Sequence, residues 1–198
     1  MKIDVRTPDG QHMTWRHATL PLGAALRIAP AFTATATAED ISVATTIEAA
    51  YSSEAGRYRI VATGHRAVGT VEITTDVLRQ VRLAEVLSAA VPSCVVVEFE
   101  GKHRTVQEVL ATEGRIVPKP LAAIATAAGP TEDTLGLVQL IYGVTALAAR
   151  PPARAVAAEL DIPDRTATHW IGKARAAGLL DGFTYAVGRQ PNGARRAE

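Results

Sequence analysis

The sequence predicts an α+β protein: an N-terminal mixed strand/helix domain followed by an all-α helix-turn-helix module. Three observations predict it. Segments before residue 113 alternate apolar and polar side chains with the period of two of a half-buried strand, whereas segments after residue 130 repeat apolar residues every three to four positions. Between them, Gly114, Pro118, Pro120, Gly129 and Pro130 punctuate the chain. The division is therefore 1–113 as a mixed α/β domain for dimerisation or for sensing an effector or partner, 114–130 as a linker, 131–182 as the helical module, and 183–198 as a basic, flexible tail.

In order, Lys2 to Arg6 alternates like an edge strand, Pro8-Asp9-Gly10 is a turn, and a hairpin partner is expected at residues 12–17. The small and β-branched alternation from Ala31 to Ala38 fits a strand or a loop. Residues 41–47 and 57–63 read as an antiparallel pair across the turn material of 52–56, and 70–73 as a further short strand. Thr75-Asp76 then caps a helix whose apolar positions run from Val77 to Ala90 and which Pro92 ends. Residues 94–100 are strongly β-prone, and Gly101-Lys102-His103 turns them back toward 104–106. Within the linker, the alanine-rich run 121–128 has helical composition.

Thr131 caps a helix with Glu132 and Asp133 beside its positive dipole end, and Leu135, Val138, Ile141, Tyr142, Thr145, Ala146 and Ala149 form its stripe. Arg150-Pro151-Pro152 closes that helix and opens the next. Val156, Ala157 and Leu160 recur at helical spacing until Asp161-Ile162-Pro163 stops them, and Asp164 is placed to cap a second helix with Ala167, Trp170, Ile171, Ala174 and Leu179 inward. Ala157 is the small residue a close crossing needs, Ile162 plugs the turn, and Trp170 packs the second helix onto the first.

The spacing leaves Arg165, Thr168, His169, Gly172 and Lys173 outward, with Thr166 near the start of the second helix. A helix of this kind reads base edges in the major groove with residues of its N-terminal half. Arg165 suits a bidentate contact to guanine, Thr166 and Thr168 a base edge or a thymine methyl, and His169 an acceptor. Arg154, Lys173 and Arg175 are the expected phosphate contacts, which fix register without reading sequence. The expected partner is double-stranded DNA, bound by a homodimer with the second helix, 164–177, as recognition helix. The alternative is an adaptor whose N-terminal domain binds a partner protein.

Residues 156–180 resemble the helix-turn-helix end of small regulatory proteins of actinobacteria and their phages, in which the pattern A-T-A-x-x-W-[IV]-x-x-A-R-x-x-G-L-L recurs. The chain departs from that pattern at Asp161, where glycine usually sits, and at Thr166-Ala167-Thr168. Residues 73–87 resemble a second recurring feature of the same proteins, a strand ending in I-T that leads into L-R-x-[IV]-x-L. The resemblance implies a transcriptional regulator or a mobile-element accessory factor. It assigns no role to Arg79 and Arg82, which form either a solvated face or a partner contact.

Charge is unevenly spread. Residues 150–198 hold 8 Lys and Arg against 5 Asp and Glu, a net +3, while residues 1–149 hold 13 against 15, a net −2. A local basic footprint suits a nucleic-acid reader. The tail contributes Arg189, Arg195 and Arg196, either as further phosphate contacts or as a solubilising end. Cys94 is the sole cysteine, so no internal disulfide or cysteine-based zinc site can form. The five histidines lack metal-site spacing, and no phosphate loop or nucleophile elbow is present. The chain is therefore expected not to be an enzyme, to bind no metal or cofactor, and to lie in the cytoplasm, with no spanning segment. An enzymatic pocket would have to draw on His65, His103, Glu98 or Glu100.

Overall fold

The computed structural model describes residues 1–38, 41–70, 72–99 and 101–185. Strands dominate the N-terminal half and helices the C-terminal half. The first sheet is antiparallel in the order β1-β4-β5-β6, from β1 (Lys2–Arg6), β4 (Ala31–Ala38), β5 (Ile41–Ser52) and β6 (Arg57–Ala67). In β4 the alternation reads directly as burial: Phe32, Ala34 and Ala36 face the core, while Thr35 on the other face meets Thr46 of β5 hydroxyl to hydroxyl at 3.0 Å. The expected partner of β1 at 12–17 contributes only a single bridge, Arg6 to His12, and β1 pairs with β4 instead.

The second sheet, in the order β2-β3-β7-β8, joins β2 (Leu20–Leu22), β3 (Leu26–Ile28), β7 (Val95–Phe99) and β8 (Lys102–Thr105), again antiparallel. Val95, Val96 and Val97 are all buried, so the unbroken apolar run marks a strand covered on both faces. Burial holds the neighbouring Cys94 thiol protonated, its pKa pushed far above the usual range, and it donates to Ala90 O within the helix end.

Several local expectations change. Residues 70–73 form no strand among the described positions. The single helix from Thr75 is two: α1 (Thr75–Gln80), capped by Thr74, and α2 (Leu83–Cys94), separated where Val81 turns extended at ψ 123°. Pro92 lies inside α2 and does not end it, because the last turn buries Val91 and Cys94, which outweighs one missing donor. A helix absent from the sequence prediction, α3 (Val106–Glu113), starts with a capping box: Glu108 N–H donates to Thr105 Oγ1 at 3.2 Å and Thr105 N–H to the Glu108 carboxylate at 2.8 Å.

The linker expected at 114–130 is folded structure. It contains α4 (Lys119–Ala128), whose Ala122 and Ala125 are buried, and the Thr126 hydroxyl donates to Leu160 O at 2.7 Å. One cluster of buried apolar residues runs through both expected domains, from Val5 and Phe32 to Trp170 and Phe183. Its axis is α5 (Glu132–Leu147), started by Thr131 as the spacing predicts and buried almost all round in its second half. Gln139 of α5 accepts from Ala24 N–H and donates to Leu179 O, bridging the β2–β3 turn to the far end of the chain. Gly143 allows a close approach: a Cβ there would lie 2.6 Å from both Leu26 Cδ1 and Phe183 Cε1.

The C-terminal pair is α6 (Pro152–Leu160) and α7 (Asp164–Ala176). Beyond it, Tyr51 Oη donates to Gly182 O at 2.8 Å and Thr184 N–H to Gly56 O at 3.1 Å, so the first residues of the expected tail, 183–185, run irregularly against the β5–β6 turn. Ala186, Val187 and the tail arginines Arg189, Arg195 and Arg196 lie outside the described residues. Among the described residues no helix is long and apolar enough to cross a membrane.

Candidate nucleic-acid interface

Three helices build the site. α5 supplies the support, and α6 and α7 pack on it and on each other through Val156, Ala157 and Leu160 on one side and Ala167, Trp170, Ile171 and Ala174 on the other, all buried. The turn between them is three residues long. Asp161 adopts the left-handed backbone, φ 51° and ψ 44°, at the end of α6, and Ile162 N–H then donates to Ala157 O at 3.0 Å while its side chain is buried. Asp tolerates that conformation better than most residues because its short side chain bonds locally.

One detail differs from the sequence expectation. Pro163 is the residue before α7, and its carbonyl accepts from Ala167 N–H at 3.0 Å; Asp164 is the first helical residue and makes no side-chain cap bond. Its carboxylate therefore acts only as a charge beside the positive end of the helix.

Buried residues 167, 170, 171 and 174 fix the outer face of α7. Arg165, Thr168, His169, Gly172 and Lys173 are exposed along it at steps of three and four. Thr166 is half-buried at the border, so its base contact is weakened as an assignment. Thr168 donates its hydroxyl proton back to Asp164 O at 2.9 Å, leaving its methyl and lone pairs outward. Among the described residues Arg165, Lys173 and Arg154 have no ion-pair partner, which leaves their charges available. Arg175 is different: exposed, it leans on α5, its Nη2 donating to Tyr142 Oη at 3.3 Å and its guanidinium 6.0 Å from the ring centre.

A further set of residues, not singled out by the sequence, packs against the end of α6. The Glu159 carboxylate accepts from the backbone N–H groups of Ile116 and Val117 at 3.0 to 3.1 Å. Arg115, whose side chain is only 14 % exposed, lies 3.7 Å from both Glu159 and Asp161 and donates to Glu159 O. The contacts span more than forty residues of chain, so no local pattern announces them.

Of the residues weighed for an enzymatic pocket, those described do not converge. His65 of β6 meets Thr45 in the first sheet at 3.2 Å, while His103 pairs with Glu98 at 3.2 Å across β7–β8 in the second. Glu100 lies outside the described residues. Arg79 and Arg82 pair on the surface with Asp76 at 3.1 Å and Glu85 at 2.9 Å. Among the described residues no group of three or more His, Cys, Asp or Glu is placed to hold a metal ion. No family model, no curated protein and no solved structure matches the chain.

Proposed function

We propose that the chain is a sequence-specific double-stranded DNA-binding protein, acting as a transcriptional regulator or mobile-element accessory factor, in which α6–Asp161–α7 is a helix-turn-helix. The observation that carries this reading is the outer face of α7, where the unpaired cations Arg165 and Lys173 flank Thr168 and His169 directly opposite a buried Ala167-Trp170-Ile171-Ala174 seam.

α7 lies in the major groove with its N-terminal half toward the bases. Arg165 forks onto a guanine, Thr168 presents its methyl, and His169 donates to an acceptor. Lys173 and Arg154 neutralise phosphates, and Arg175 reaches one only by leaving Tyr142. A single reader of this size specifies few base pairs, so the protein binds as a homodimer to two half-sites about one helical turn apart.

Selection from random duplex DNA by the full-length protein at physiological salt tests this. The full chain is required because α5 belongs to the shared core. Arg165→Ala is expected to cost about 1 to 3 kcal/mol on the selected site and to relax preference at one position. Lys173→Ala is expected to weaken all duplexes alike and to flatten the salt dependence by about one unit of slope. A folded protein that enriches no sequence would refute the reading and favour the adaptor function.

A further inference from the structure

Where α2, α3, α5 and α6 meet, the chain leaves a cleft of about 320 Å³, within the range of small-molecule sites. Its floor is apolar: Val106, Val144 and Ala148 are each no more than 3 % exposed, and Leu110, Ile116 and Ala155 complete the walls. Thr145 also lines it, but its hydroxyl is turned back onto Ile141 O and Tyr142 O of its own helix.

Arg150 and Arg154 also line the cleft. Arg150 Nε donates to the neutral Ser88 hydroxyl at 2.9 Å, and Arg154 has no ion-pair partner among the described residues. The one carboxylate on the cleft, Glu159, is committed to Arg115 and to the Ile116 and Val117 N–H groups. An apolar cavity bordered by two arginines with no ion-pair partner among the described residues suits a ligand with an apolar body and one anionic end. The chain beside it is strained: Ala149, between α5 and α6, sits at φ 54°, a conformation in which its Cβ crowds the backbone.

We infer that this cleft binds a small carboxylic acid, its carboxylate on Arg150 and Arg154 and its apolar chain over Val106, Val144 and Ala148. The consequence for DNA rests on the function proposed above. Arg154 is also a phosphate contact, so the acid and the duplex compete for one guanidinium, and the acid acts as an effector that lowers duplex affinity.

Calorimetry of the full chain with octanoate, in the absence of DNA, tests the site. Octanoate is expected to bind one to one, with octanol, which has the same chain and no charge, about tenfold weaker or worse. Arg154→Gln, an exposed substitution, weakens octanoate severalfold, toward the level of octanol, and Ala155→Leu, which fills the cleft, abolishes both. Absence of octanoate binding overturns the site, as does equal binding of octanoate and octanol or an Arg154→Gln variant that binds like the parent. In the second arm octanoate lowers duplex affinity about fivefold, the loss of one phosphate contact, in the parent but not in Ala155→Leu. Octanoate that binds without moving duplex affinity overturns the effector role. Because the first arm contains no DNA, failure of duplex binding sinks only the reading of α7.

Discussion

The α6–α7 pair and the first sheet solve the same problem, burying small apolar residues, with contacts of very different range. In the helix pair Ala157, Ile162, Ala167 and Trp170 fall within fourteen residues of one another, and the turn is closed by a bond from Ile162 to Ala157. In the sheet, β1 pairs with β4 in a register that sets Lys2 opposite Thr37, with β2 and β3 diverted into another sheet in between. A motif whose partners are local can be recognised from spacing alone. A sheet whose neighbours are set by loop closure cannot.

The sharpest way to test the contrast is Trp170→Ala. Trp170 is 5 % exposed, and its loss is expected to cost about 3 to 5 kcal/mol. Because the helices and sheets share a core, thermal unfolding of this variant should remain a single transition, with amide exchange rising in β4 and β7 as well as in α7. A variant that loses only its C-terminal helices, leaving the strands protected, would restore two separate domains.

Gly143→Ala probes the same union from its centre. The new methyl would collide with Leu26 and Phe183 at 2.6 Å, and the expected cost is about 1 to 3 kcal/mol. A matching fall in denaturation midpoint by helix and strand probes supports one cooperative unit. Separate midpoints would break it.

These two positions also show where the sequence was legible. The α5 start at Thr131, the α6–α7 turn and the inward Trp170 follow from caps and periodicity, and the structure places them accordingly. α3 was available from its Thr105-x-x-Glu108 capping box but is obscured by the neighbouring strand signal. The helical composition of 121–128 was legible and becomes α4, but its flanking Gly and Pro residues, which punctuate short helices as readily as linkers, disguised its packing; only the burial of Ala122 and Ala125 distinguishes a docked helix from a linker. At the candidate site the exposed face of α7 is a periodicity, hence readable, whereas Thr166 at the border, Arg175 on Tyr142 and the Arg115–Glu159 strap depend on partners distant in sequence.

The smallest expected effects distinguish two residues that share a backbone conformation. Ala149 and Asp161 are the non-glycine residues with positive φ among those described, at 54° and 51°. Each ends a helix where glycine would remove a Cβ clash of about 1 to 2 kcal/mol per residue, set against about 0.5 to 1 kcal/mol for the greater freedom of glycine in the unfolded chain. Ala149 has no side-chain polar group to soften the clash, so Ala149→Gly should raise stability by about 0.5 to 1 kcal/mol, measured as a higher denaturant midpoint with unchanged slope. Asp161 tolerates the left-handed region better, and its 3.7 Å approach to Arg115 is made by a side chain 78 % exposed, so it contributes little. Asp161→Gly should therefore change stability by less than about 0.5 kcal/mol. It also removes a negative charge from the turn before α7, so on the proposed function duplex affinity should rise slightly, and more at low salt than at high. If Asp161→Gly instead destabilised the protein by more than Ala149→Gly stabilised it, the Arg115 contact would be a structural tie of the turn rather than a surface pair, and the turn would owe its shape to residues 115–117 more than to its own sequence.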